Sequence, residues 1–85
     1  MNLKVTQIFY YNKRVRYFIE DREVSKDCFI HIMDEFIWSK RIRDYKSELV
    51  KEKANEFKET RYYNIDTNMK IKIDNYIKNI INRRN

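Results

Sequence analysis

Glycine and proline are both absent from the 85-residue sequence. Glycine-rich loops let a backbone wrap closely around phosphate groups, so their absence excludes the P-loop and the dinucleotide-binding fingerprint. Turns that need a positive φ must instead fall to asparagine and aspartate, which tolerate that conformation best after glycine. The sequence therefore argues against an enzyme built on either nucleotide-binding motif.

Cysteine and long apolar runs are scarce as well. Cys28 is the single cysteine, which excludes an intrachain disulfide and fits a reducing compartment. No segment approaches the roughly 18 apolar residues that a membrane span requires, and the first residues lack the apolar stretch of a signal peptide. We therefore expect a cytoplasmic protein with no membrane partner.

The chain is short and basic. At 85 residues it forms one domain (residues 1–85) with a thin core, for which we expect support from a second copy in a homodimer. The net charge is +6, and residues 61–85 alone contain six basic and two acidic side chains. This charge suits an acidic protein surface or a nucleic acid as partner, although solubility alone also explains it.

Residues 3–21 are predicted to form a β-hairpin. Aromatic and β-branched residues flank Asn12 and Lys13, and asparagine suits the first position of a two-residue turn. With that turn, Tyr10 would pair with Val15. One face would then carry an aromatic and basic set, namely Phe9, Tyr11, Arg14, Arg16 and Phe18. Such a face suits a protein partner or single-stranded nucleic acid, and the third alternative is burial under a helix.

A helical region is predicted over residues 25–59. Ser25 is a suitable N-cap, and apolar residues recur at helical spacing as far as Ile37. The apolar stripe changes phase beyond Trp38, and a straight helix of this length would measure about 51 Å, so we expect a bend or break near residues 38–43. A second basic cluster here is a candidate binding site or an ordinary solvated helix face: Lys40, Arg41, Arg43 and Lys46.

The sequence from residue 62 to residue 73 fits two structures. Strict alternation from Tyr63 to Ile73 is typical of a strand, whereas Met69, Ile73 and Ile77 recur at helical spacing behind a cap at Asp66 or Thr67. We favour a helix over residues 67–82. The predicted fold class is thus α+β, with an N-terminal β-hairpin packed on two or three α-helices.

The sequence contains few residues that could form a catalytic site. Cys28 and His31 lie three residues apart on the predicted helix, which is half of a tetrahedral zinc site. A small core residue beside a surface histidine explains the pair better, because the sequence has no second cluster. We therefore expect a protein that is not an enzyme, with no catalytic residues, no metal and no cofactor.

Residues 16–29, which read RYFIEDREVSKDCF, resemble a pattern common in small phage and mobile-element proteins. In that pattern a strand ends in a short acidic turn and Val-Ser-Lys begins a helix. The resemblance implies a phage-type protein that blocks a host protein surface in the host cytoplasm, such as an RNA polymerase subunit, a restriction complex or a CRISPR effector. The alternative function is direct DNA or RNA binding through the aromatic and basic hairpin face.

Overall fold

A computed structural model describes the backbone of residues 1–83 and the side chains of residues 1–80. It shows an α+β fold, in which five antiparallel strands form one sheet of order β3-β2-β1-β5-β4. The elements are β1 (Asn2–Tyr10), β2 (Val15–Ile19), β3 (Arg22–Val24), α1 (Lys26–Ile32), β4 (Asp44–Lys53), β5 (Glu56–Asn64) and α2 (Thr67–Arg83). A π-helical segment (Met33–Trp38) continues α1.

The N-terminal hairpin is present, but its loop is one residue longer than the sequence predicted. The Lys13 amide donates to the Tyr10 carbonyl at 3.0 Å, and the Tyr10 amide donates to the Arg14 carbonyl at 2.9 Å. Lys13 has a φ of 69°. This is a three-residue loop that ends in a left-handed residue. Phe9 therefore pairs with Val15, the position that the prediction had assigned to Tyr10.

The longer loop changes which residues share a face. Because side chains alternate along a strand, a register shift of one residue moves every β1 side chain to the opposite face relative to β2. Phe9 consequently lies on the helix-covered side of the sheet, while Arg16 and Phe18 lie on the other side. The prediction that these three residues share one face was wrong.

The predicted helix over residues 39–59 was also wrong, because residues 44–53 and 56–64 are strands. The charged residues of this region suggested ion pairs along a helix. The pairs that form are Lys46–Glu48 at 3.0 Å and Glu59–Arg61 at 3.1 Å, which are two residues apart, as on one face of a strand. Pairing of β5 along the whole of β1 outweighs the local helical pattern.

The first helix begins where the sequence predicted, and its π-helical continuation ends at Trp38. The Ser25 hydroxyl accepts a hydrogen bond from the Cys28 amide at 3.1 Å, which caps the helix. The predicted break near residues 38–43 is confirmed. Arg41 adopts a φ of 57°, and the Ile42 amide donates to the Ile37 carbonyl at 3.1 Å, which closes the helix.

The C-terminal helix is confirmed as well. The Asp66 carboxylate accepts a hydrogen bond from the Met69 amide at 2.8 Å, so Asp66 caps α2. Of the two structures that fit residues 62–73, the strand forms only over residues 62–64 and the helix forms from residue 67 onward.

The core lies between the helices and one end of the sheet, which we call the proximal end. Its fully buried side chains are Leu3, Ile19, Ile32, Met33, Ile37, Ile73 and Ile77. The tight turn between β2 and β3, where Glu20 and Asp21 have φ values of 52° and 65°, is tied down at this end. Three ion pairs hold it: Lys4–Asp21 at 2.9 Å, Arg22–Asp74 at 2.9 Å, and Glu20–Lys70.

Candidate functional site

The helix layer ends before the sheet does. On the helix side of the sheet, Val15, Phe9 and Phe57 are neighbours in one row across β2, β1 and β5. Phe9 and Val15 are only half-buried, and 46% of Phe57 is exposed. Leu49 on β4, in the adjoining row, is 66% exposed. The distal half of this face is therefore uncovered in the described part of the chain, and it carries these apolar residues next to the polar Gln7, Glu59 and Lys51.

The helical segment forms a wall beside this uncovered floor. Ile30 is exposed, and so is 50% of Trp38. Both residues line a cavity of about 230 Å³ together with Gln7 and Arg61 of the sheet. The exposed apolar side chains of the floor and the wall lie on the same side of the sheet, with the polar side chains of Gln7, Glu59 and Arg61 between them. We call the six apolar residues the apolar cradle: Phe9, Val15, Ile30, Trp38, Leu49 and Phe57.

A polar cluster lies at the base of the cradle. Burial raises the pKa of Tyr63, although a hydrogen bond with Arg61 opposes that shift. Burial alone would lower the pKa of Arg61, but Glu59 and the hydrogen bond with Tyr63 outweigh it and leave the pKa raised. Arg61 thus stays charged and is held between Glu59 and Tyr63, which gives the base of the cradle a fixed polar floor.

Two hairpin tips meet at the distal end of the sheet. The Tyr11 amide donates to the Asn55 carbonyl at 3.0 Å, which joins the loop after β1 to the turn after β4. Tyr11 is 88% exposed. Four cations lie on or next to these tips, and none of them forms an ion pair within the described side chains: Lys13, Arg14, Lys51 and Lys53. We call these four residues the basic tip.

The opposite face of the sheet, which we call the open face, also carries cations and rings. Arg16 lies over Phe18 at 5.2 Å from the ring centroid, and Lys46 lies over Tyr62 at 5.5 Å. The described helices pack on the other side, so this face is uncovered too. Of the predicted aromatic and basic hairpin set, this face carries Arg16 and Phe18.

The charges of the open face are already compensated. Arg16 forms two hydrogen bonds with Glu23, at 2.8 and 2.9 Å, and they lower the pKa of Glu23. The bond from Lys46 to Glu48 raises the pKa of that lysine. The other two cations of this face are paired as well, in Lys4–Asp21 and Lys58–Glu52. This face is therefore locally neutral, unlike the basic tip.

The structure does not bring the predicted site residues together. Phe9 belongs to the cradle, Tyr11 and Arg14 lie at the distal tips, and Arg16, Phe18 and Lys46 lie on the open face. The second basic cluster is divided. Lys40 lines a cleft with Phe36 and Tyr76, whereas Arg41 closes the helix and Arg43 is exposed before β4.

The sequence analysis did not identify the most exposed members of the cradle as site residues. Phe57 was assigned to the predicted helix, and residues 57–63 show no alternation of apolar and polar residues that would have indicated a strand. Trp38 was recognised only as the point where the apolar stripe changes phase. Because Leu49 and Phe57 were predicted to be helical, the sequence analysis did not place them on the floor of the site.

Cys28 and His31 do not point in the same direction. Cys28 is buried in the core, as predicted, whereas His31 is exposed and stacks on Tyr76 at 4.5 Å between ring centroids. Among the described residues, no three histidine, cysteine, aspartate or glutamate side chains gather as metal ligands. None of the described helices has the length and apolar character needed to cross a bilayer.

Comparison with known proteins finds no matching family model, no similar curated protein and no similar solved structure. Function must therefore be argued from the surfaces described above.

Proposed function

We propose that this protein is a non-enzymatic binding protein that occupies an acidic surface of another protein. The observation that carries the proposal is the apolar cradle, in which Trp38 and Phe57 are half exposed beside an uncovered part of the sheet. Exposed aromatic and aliphatic side chains gathered on one face, with polar residues between and beside them, are typical of protein interaction sites. Aromatic anchors such as tryptophan dominate the binding energy of these sites.

The distribution of charge supports an acidic target. Each of the seven described ion pairs joins one cation to one carboxylate, so the net charge of +6 comes from residues outside these pairs, among which the basic tip supplies four cations. The basic tip lies directly beside Phe9 and Phe57, because Lys51 pairs with Phe57 and Lys13 lies in the loop after β1. An acidic rim around an apolar anchor would complement both features.

The biological setting of the proposal comes from the resemblance of residues 16–29 alone. If the protein is phage-encoded, its target is a host factor, and the surface that it covers belongs to a complex that handles nucleic acid. A protein surface that binds nucleic acid is commonly basic and would repel this basic protein. An acidic segment next to that surface would attract it instead.

Direct nucleic-acid binding is the second candidate, and the open face favours it. Rings with cations above them, as at Phe18 and Tyr62, provide stacking surfaces for bases. Arg16 and Lys46 would have to leave Glu23 and Glu48 in order to bind phosphate, however. The loss of these ion pairs offsets part of the gain, which makes the open face the weaker of the two sites.

The proposal is tested by affinity capture with the full chain from nuclease-treated lysate of the cells in which it acts. We expect one protein at stoichiometric yield, and we expect Trp38→Ala and Phe57→Ala each to weaken its binding by about 2 kcal/mol or more. Ile71→Ala is the matched control, because Ile71 is also 50% exposed but lies on α2. It should leave binding unchanged.

Folding is checked in parallel by thermal unfolding of each variant. Because Trp38 and Phe57 are half exposed, their truncation should cost less than about 1.5 kcal/mol of stability, so lost binding would not reflect unfolding. A partner that both cradle variants retain would contradict the proposal. Loss of every partner after nuclease treatment would instead favour the nucleic-acid function.

A further inference from the structure

The two edges of the sheet are very different. One edge is β3, which has only three residues and is covered at its ends by the ion-paired turn and by α1. The other edge is β4, which has ten residues, all of them exposed. A long free edge presents unpaired backbone amides and carbonyls that can accept another strand. Within the described part of the chain, nothing covers this edge.

Symmetry limits how two copies of β4 could pair with each other. In an antiparallel ladder, two opposite residues either both direct their backbone groups toward the other strand or both direct them away from it. Two identical strands meet this condition only when the two-fold axis passes through a residue position. Between the irregularities near Asp44 and Lys53, the available centres are Ser47, Glu48, Leu49 and Val50.

Charge and length together select one of these registers. A centre at Glu48 places that glutamate opposite itself, and a centre at Val50 places Glu48 opposite Glu52. Like charges directly opposite each other destabilise a sheet. A centre at Ser47 avoids this repulsion and places Lys46 opposite Glu48, but it pairs only residues 46–48 of the regular stretch 46–51. A centre at Leu49 also avoids it and pairs residues 47–51 of that stretch, with Lys46 and Glu52 facing each other at its ends.

We propose that β4 pairs with β4 of a second copy of this chain, antiparallel and centred on Leu49. In this register Lys46 of each copy lies opposite Glu52 of the other, so two opposite-charge pairs flank the axis. Within one chain Lys46 is already paired with Glu48 and Glu52 with Lys58, so each new pair would add to, or exchange for, an existing exposed pair. Lysines on an edge strand normally oppose pairing, but here alternating glutamates make the edge complementary to itself. The most exposed residue of the cradle, Leu49, meets its own copy at the centre.

The pairing would bring the two cradles side by side. Leu49 lies on the helix side of the sheet, one row from Phe57, and its neighbour on β5 is Glu59. In a ten-stranded sheet the two Leu49 side chains would therefore meet at the two-fold axis with Glu59 on each side of them. The proposal rests on the backbone edge and the charges of β4, so it does not depend on the proposed function, and Leu49 is the one cradle residue that it uses.

The test is light scattering of the full chain at tens of micromolar, where we expect twice the 10.7 kDa mass of one chain. Lys46→Glu places two glutamates opposite each other on both sides of the axis, and Glu52→Lys places two lysines there instead. Each variant should raise the dimer dissociation constant by about tenfold or more. The double variant Lys46→Glu/Glu52→Lys, which exchanges the charges, should form a dimer again.

Mixing the two single variants tests the register further. Across a mixed dimer, each of the two pairs joins a glutamate of the Lys46→Glu chain to a lysine of the Glu52→Lys chain. The mixture should therefore form heterodimers at concentrations at which each variant alone is mainly monomeric.

Cysteine crosslinking tests the same register through distance. Leu49→Cys, in a background of Cys28→Ala, should form an intermolecular disulfide on oxidation, because opposite Cα atoms in a ladder lie about 4.5–5.5 Å apart. Val50→Cys in the same background is the matched control. It faces Glu48 in this register and should crosslink much less.

A wild-type mass of 10.7 kDa at these concentrations would overturn the proposal. A dimer that persists in both charge variants, or one that Val50→Cys crosslinks as well as Leu49→Cys, would overturn the register and with it the pairing proposed here. Far-UV circular dichroism on every variant confirms that the fold is retained. Because Lys46, Leu49, Val50 and Glu52 are all exposed, the substitutions remove no core contact.

Discussion

The proximal and distal ends of the sheet use the same strands in different ways. At the proximal end Leu3 and Ile19 are wholly buried with Ile73 in one core, and three ion pairs fasten the turn after β2. At the distal end Phe57 and Leu49 are left exposed beside cations without ion-pair partners among the described side chains. The strands extend beyond the part of the sheet that the helices cover. Their distal ends bury little apolar surface and therefore contribute little to the stability of the fold.

This difference separates stability from recognition within a small domain. A chain of this size can bury only one compact core, so apolar residues outside it cost solubility without a compensating gain in stability. Their grouping in the cradle is best explained by a partner that covers them. The following variants test whether the core provides the stability of the domain and the distal end its recognition surface.

The largest effect is expected in the core. Ile73→Ala removes a side chain with no exposed surface and should cost about 2–5 kcal/mol of unfolding free energy, which would unfold much of so small a domain. Ile71→Ala, two residues away on the same helix but 50% exposed, should change stability by less than about 0.5 kcal/mol. Urea unfolding of both variants measures the contrast. Equal effects would mean that the core does not lie where the structure places it.

A smaller effect is expected at high pH. Burial raises the pKa of Tyr63 above its ordinary value of 10.0, so the neutral phenol favours the folded state. This contribution is complete below pH 10 and is lost as the pH rises from 10 through the raised pKa. The stability of the wild type should therefore fall more steeply above about pH 10 than that of Tyr63→Phe, as urea unfolding at each pH would show.

The comparison with Tyr63→Phe removes other titrations. Lys4 and Lys46 have raised pKa values too, and they lose their contributions in the same alkaline range, but they are present in both proteins. At neutral pH the variant should lose about 1 kcal/mol with its hydrogen bond to Arg61. Identical alkaline profiles would show that Tyr63 is not buried as described.

The sequence predicted those elements whose signals are local. The Ser25 cap, the apolar spacing up to Ile37 and the Asp66 cap each lie within a few residues of the helix that they define. The hairpin was also recognised, but its register depended on Lys13 adopting a left-handed conformation. Without glycine in the chain, no residue marked that position, and the choice between a two-residue and a three-residue loop could not be made locally.

The distal strands were missed because their pairing is remote in sequence. Leu3 pairs with Tyr63, and nothing within residues 44–59 reveals that contact. Charged residues recurring every two to four positions fit a strand or a helix equally well. Of the cradle, only Phe9 was identified as a binding residue, because most of the others fell within the predicted helices.

The most direct test of the cradle is site-specific photocrosslinking in the cells where the protein acts. Benzoylphenylalanine would replace Phe57 in the cradle, Phe18 on the open face and Ile71 on the control surface of α2. We predict a nuclease-resistant protein adduct, different in mass from a second copy of this chain, at position 57 and not at positions 18 or 71. A nuclease-sensitive adduct at position 18, with none at position 57, would contradict the central claim that the apolar cradle binds another protein.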